Sequence, residues 1–105
     1  MNLIFKIKDN YGREIYLSKE RWKHVKKHPY IDENLLEEVK KTIQNPTAIR
    51  YNEEDEEVRY FYREHKNNSQ FERYLLVSVK YLNGTGFVIT SFFTNKITGS
   101  KWQTK

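Results

Sequence analysis

YLLVSVKYLNGTGFVITSFFT, Tyr74 to Thr94, decides how this chain folds. β-branched and aromatic residues dominate both halves, and these suit the pleated, half-buried surface of a strand. Asn83-Gly84 between them suits a tight hairpin turn, whose central residues need positive φ. The segment therefore reads as a hairpin of two strands, Tyr74 to Tyr81 and Gly86 to Thr94. In the first, Leu75, Val77, Val79 and Tyr81 alternate with Tyr74, Leu76, Ser78 and Lys80. In the second, Phe87, Ile89, Ser91 and Phe93 alternate with Val88, Thr90, Phe92 and Thr94. The consistent pairing places Leu75, Val77, Val79, Phe87, Ile89 and Phe93 in the core. It sends Ser78, Lys80, Thr90 and Thr94 to the opposite face, a polar set on central strands.

Working outward, Thr47 to Tyr51 and Val58 to Arg63 also have strand character, and Asn52 with Glu53, Glu54, Asp55, Glu56 and Glu57 separates them. Five adjacent acids repel one another and prefer water, so the run is expected as an exposed hairpin loop. Lys66 to Gln70 reads as a second polar loop. Upstream, Leu35, Leu36, Val39 and Ile43 form a helical stripe, with Glu37, Glu38, Lys40 and Lys41 on the other side. Asp32 is its expected N-cap, Ile31 is placed to staple onto Leu36, and Asn45-Pro46 stops it. At the start, Leu3, Phe5 and Ile7 alternate with Ile4, Lys6 and Lys8, a turn follows at Asp9, Asn10 and Gly12, and Arg13 to Leu17 alternates again. That is a second hairpin.

One hundred and five residues make one domain, 1–105. Mean hydropathy is strongly negative, yet eight Tyr, six Phe and two Trp bury enough apolar area to argue against disorder. No apolar run approaches the roughly 20 residues of a membrane span, and Lys6 and Lys8 interrupt the early hydrophobic stretch, so a soluble protein with a cytoplasmic address is the default expectation. Without cysteine there is no disulfide, thiolate nucleophile or cysteine-held metal. The net charge of +5 understates the basic character. Five of the 14 acids lie in the single run, so the other nine face 19 basic residues, an excess of ten. Such a field favours polyanionic partners.

Between the first hairpin and the apolar-striped helix lies SKERWKHVKKHP, Ser18 to Pro29. Ser18 can cap a helix, Glu20 suits its first turn, and Pro29 discourages continuation. At helical spacing Trp22 and Val25 share one side as the anchor. Arg21, His24 and His28 make the neighbouring stripe, because residues four apart stack on one face. Two imidazoles there suit proton transfer near neutral pH. Cleavage of RNA through its own 2′-hydroxyl needs a base, an acid and a cation to hold phosphate charge. His24 and His28 fit the first two roles, Lys80 or Arg63 the third, and Thr90 positions by hydrogen bonding. Tyr60, Tyr62 and Tyr74 are candidates for stacking on bases, with Arg21 and Lys27 as further contacts to the substrate.

RWKHVKKHP, a helix ending in Asn-Pro, FYRE, YLLVSVKY and GFVITSFFT together resemble the phage-associated branch of the barnase–EndoU–colicin–RelE-like nucleases, the BECR fold. The likeness runs from about Ile15 to Trp102. It implies an α+β domain in which an N-terminal β-hairpin and two helices pack on a twisted antiparallel sheet. It also implies a small metal-independent endoribonuclease of toxin or phage-effector type. His24, His28, Lys80 and Thr90 carry over as the catalytic set, with Arg63 a weaker transfer; Tyr30 stands where the family often has an acid after His-Pro. An RNA substrate and a cognate antitoxin or immunity protein are the partners such a family implies; no cofactor and no membrane are expected.

Two other readings use the same residues. A non-catalytic nucleic-acid-binding module would exploit only the basic balance, and a phage or protein-interaction module would use the acidic run or the aromatic faces. A metal site built from His24 and His28, with His65 as third ligand, is disfavoured because Lys23, Lys26 and Lys27 surround the pair and no Glu stands where an HExxH motif needs one.

Overall fold

The computed structural model describes residues 2–28, 31–65, 73–98 and 100–101. The expected loop at Lys66 to Gln70, the Pro29-Tyr30 step and the chain beyond Lys101 lie outside them. Among the described residues seven strands form one sheet: β1 (Leu3–Lys8), β2 (Glu14–Ser18), β3 (Ala48–Asn52), β4 (Asp55–Glu64), β5 (Tyr74–Leu82), β6 (Thr85–Thr94) and β7 (Ser100–Lys101). Their spatial order is β1-β2-β6-β5-β4-β3-β7. Helix α1 (Lys19–Val25) follows β2, and α2 (Leu36–Gln44), preceded by a 3-10 turn at Glu33–Leu35, leads into β3. Among the described residues, no helix is long and apolar enough to cross a membrane.

The β5–β6 hairpin forms through Asn83-Gly84, with φ of 54° and 83° at the two residues. Its register contains a bulge. Ser78 faces Thr90 while Val79 faces Val88, which leaves Ile89 without a partner on β5. An extra residue of this kind reverses the facing of what lies beyond it. Val88 is therefore buried at 4% exposure and Phe87 is turned outward at 37%, the opposite of the placement expected from alternation alone. Ile89 is only partly buried, while Leu75, Val77 and Val79 are fully buried and Phe93 packs against the core.

The sheet is mixed rather than purely antiparallel. β2 pairs with β6 in parallel through Ile15 with Gly86 and Tyr16 with Phe87. Gly86 permits this approach, because a Cβ there would strike Ile15 Cδ1 and lie 2.8 Å from Val79 Cγ1. The β1–β2 turn is pinned to the same place. The Tyr81 hydroxyl donates to Asp9 Oδ2 at 2.7 Å, the Arg13 guanidinium lies 4.4 Å from the Tyr81 ring centre, and burial, then the Asp9 hydrogen bond, pushes the Tyr81 phenol far up.

Both helices contribute to one core, where Trp22 and Val25 of α1 and Val39 and Ile43 of α2 meet Ile15, Leu17, Phe61 and Val77. Asp32 caps as expected by accepting from Asn34 N at 2.9 Å, although one tight 3-10 turn precedes α2 proper. The other sheet face is only partly covered. The Asn95–Thr98 connection between β6 and β7 packs on Tyr62, whose hydroxyl accepts from Thr98 N at 3.2 Å and donates to Thr98 O at 3.3 Å. Gly86→Ala is expected to lower stability by about 1–3 kcal/mol through overpacking at the β2–β6 seam. Urea unfolding checks it, and a midpoint equal to that of the wild type contradicts the seam's importance.

Candidate active site

α1 begins as its sequence dictates, with Ser18 Oγ accepting from Arg21 N at 3.1 Å. It ends sooner than the basic run suggests. After Val25 the backbone tightens into i→i+3 bonds, Lys27 N to His24 O at 3.1 Å and His28 N to Val25 O at 3.0 Å. Glu33 braces this end, accepting from Trp22 Nε1 at 3.1 Å and from Lys26 Nζ. The Lys26 bond, then that from Trp22, holds the Glu33 carboxyl below its ordinary range. His28 is thus on a turn beyond the helix and not on the His24 stripe. Its Nε2 meets Thr90 Oγ1 at 3.0 Å, and its ring sits 5.4 Å from Phe92. His24 is exposed, and among the described residues its side chain makes no hydrogen bond, ion pair or ring contact.

The sheet supplies the rest. Arg50 pairs with Tyr60, Tyr60 with Ser78 and Ser78 with Thr90, and cross-strand partners share a face. A polar row therefore crosses the sheet and ends at His28. Lys80 lies on that face two residues along β5 from Ser78, roughly 7 Å at strand rise. Its Nζ is 3.2 Å from Asp55 Oδ2 and 3.9 Å from Glu57 Oε1. The hydrogen bond from Lys80, then one from Glu57 N, lowers the Asp55 carboxyl below its usual range. The acidic run is accordingly not all loop. Only Glu53 and Glu54 form the turn, and Asp55 opens β4.

Beside this row is a cleft of about 410 Å³ lined by Tyr16, Arg21, Lys80, Leu82, Phe87 and Ile89 among others. His28 and Thr90 thus touch on the sheet face that also carries Lys80, while the cleft itself is lined by Lys80 and Arg21 and not by His28 or Thr90. The site does not gather every candidate. Lys27 is exposed without a side-chain contact among the described residues. Tyr62 is 1% exposed beneath the β6–β7 connection, so its ring has no free face for a base. Arg63 pairs with Leu75 on the helix side of the sheet, where its Nη1 donates to Asn45 O at 2.9 Å and closes the end of α2. Tyr60 stays on the site face with its hydroxyl accepting from Asn52 Nδ2 at 3.1 Å. His65 sits elsewhere, edge-on to Phe93 and 3.8 Å from Glu38.

Sequence reasoning missed Asp55, Tyr16 and Phe87. The acids hid in a run that looked uniformly solvated, and Phe87 was hidden by a bulge that alternation does not announce. Among the described residues no group of three or more His, Asp or Glu side chains is placed to hold a metal ion. The face carries an imidazole in contact with a hydroxyl, and beside it a cleft lined by an ammonium group and a guanidinium; cations so placed can stabilise negative charge.

Comparison with known families agrees with that chemistry. Residues 4–105 match the phage-Barnase-EndoU-ColicinE5/D-RelE like nuclease2 family, and the chain belongs to it. The α+β fold with its mixed sheet is consistent with a nuclease of this kind, whose substrate is nucleic acid. No significantly similar curated protein and no significantly similar solved structure was found.

Because Asp55 competes for Lys80, Asp55→Asn is expected to elute from heparin at higher salt than Glu54→Gln, which adds the same charge in the turn. Equal elution of the two contradicts a latent cation at Lys80.

Proposed function

We propose that the chain is a metal-independent endoribonuclease that cleaves RNA through attack of the substrate's own 2′-hydroxyl. The observation that carries the reading is the 3.0 Å contact of His28 Nε2 with Thr90 Oγ1 on the sheet face that also holds Lys80. Imidazole is the side chain suited to taking a proton near neutral pH. His28 removes the 2′-hydroxyl proton, the 2′-oxygen bonds to phosphorus, and the bond from phosphorus to the 5′-oxygen breaks. The products are a 2′,3′-cyclic phosphate and a 5′-hydroxyl, the leaving oxygen taking its proton from water on the open face. Thr90 fixes the imidazole, and Lys80, released from Asp55, holds the charge that grows on the phosphate oxygens. The cations supply that stabilisation without a divalent ion, which Lys80 and Arg21 would repel.

This arrangement asks little of His24, which stands exposed on the helix. His28→Ala is expected to cut RNA at least about 100-fold more slowly, the lower end of what acid–base catalysis contributes, with His24→Ala within a few-fold of wild type. Mass spectrometry of RNA cut in EDTA should find 2′,3′-cyclic phosphate ends. Linear 3′-phosphates from the first minutes onward, or full activity in His28→Ala, would overturn the mechanism.

A further inference from the structure

Phe87 is a large apolar ring turned outward on a sheet face, 37% exposed. It lies 5.7 Å from Tyr16, with the two planes 25° apart, so the two rings stack on one another and line the cleft together. The bulge at Ile89 puts it there, since unbroken alternation would bury the ring. Lys80 is the cross-strand partner of Phe87, Arg21 stands on the same cleft from α1, and Leu82, 44% exposed, continues the apolar lining toward the hairpin turn.

We propose that this cleft is a nucleobase-stacking subsite for single-stranded RNA, the Tyr16–Phe87 pair taking the face of one base and Arg21 and Lys80 taking the adjoining phosphates. The proposal rests on the ribonuclease reading above and names a part of the substrate that reading leaves open. An aromatic stack flanked by two cations complements a base joined to phosphodiesters, because a base can add its own π-face to the stack and every linkage carries a negative charge. A duplex does not fit, since its bases are stacked inside it. Glu20, on the same lining, repels a third phosphate and accepts hydrogen bonds, which suits the edge of a base. The row of Phe87 and Lys80 lies roughly 7 Å along the sheet from that of Ser78 and Thr90. The stacked base therefore belongs to a nucleotide next to the linkage held at His28.

The probe is a single-stranded RNA decamer with 2′-methoxy groups throughout, uncleavable for want of a 2′-hydroxyl, carrying 2-aminopurine at one position at a time. It is titrated with the full chain in EDTA. Stacking should quench the fluorophore at one position, and Phe87→Leu and Tyr16→Leu should each weaken binding about tenfold and restore its fluorescence. An abasic residue at that position should cost the wild type about tenfold and Phe87→Leu almost nothing. Quenching unaltered in both variants, or equal wild-type affinity for every abasic position, overturns the subsite. The second result needs no variant to fold, and the nuclease reading survives either as long as His28→Ala still slows cleavage of ordinary RNA by about 100-fold or more. A wild type that binds no decamer overturns the subsite, and the nuclease reading is then decided by cleavage of ordinary RNA alone.

Discussion

The structure depends on the packing at Gly86, where the side chains of Ile15 and Val79 occupy the space a Cβ would need. β2 reaches β6 only over Ile15 and Tyr16, and the space for that contact exists because residue 86 has no side chain. From there α1 is led alongside β6, and Trp22 and Val25 lock it into the core. Once α1 is fixed, the turn after Val25 has little freedom, with Glu33 holding Trp22 and Lys26 together. His28 arrives on Thr90 as the result. Side-chain packing over a glycine at one end of the sheet thereby places an imidazole at its polar row.

Electrostatics completes the arrangement. The chain is basic overall, yet Lys80 is held by Asp55 and Glu57 in the absence of substrate. All three side chains are at least one-third exposed, so these ion pairs are weak, and in the proposed mechanism a phosphate displaces them. The lysine is held ready in position with its charge partly screened.

Much of this was legible in the sequence because local chemistry and tertiary packing agree. Asn83-Gly84 forms its turn, the Leu36 to Ile43 stripe faces the core, Trp22 anchors α1, and Ser78, Lys80 and Thr90 share a face. What was not legible arises from constraints that cross the chain. The parallel contact at Gly86 joins segments about 70 residues apart, and no hairpin logic supplies it. The Ile89 bulge exchanges Phe87 for Val88 in the core. The histidine pair was read as one stripe, but the helix that would have carried it stops at Val25. Tyr62 and Arg63 have strand character as expected, yet one is roofed by the β6–β7 connection and the other faces α2.

The central claim is that the His28 imidazole, fixed by Thr90, is the group whose proton transfer cleaves RNA. Its most direct test joins the pH dependence of kcat/KM to NMR titration of the three imidazoles. The account expects one limb of the rate profile to coincide with the titration midpoint of His28, and that limb to vanish in His28→Ala. A limb that follows His24 or His65, or that persists unchanged without His28, contradicts it.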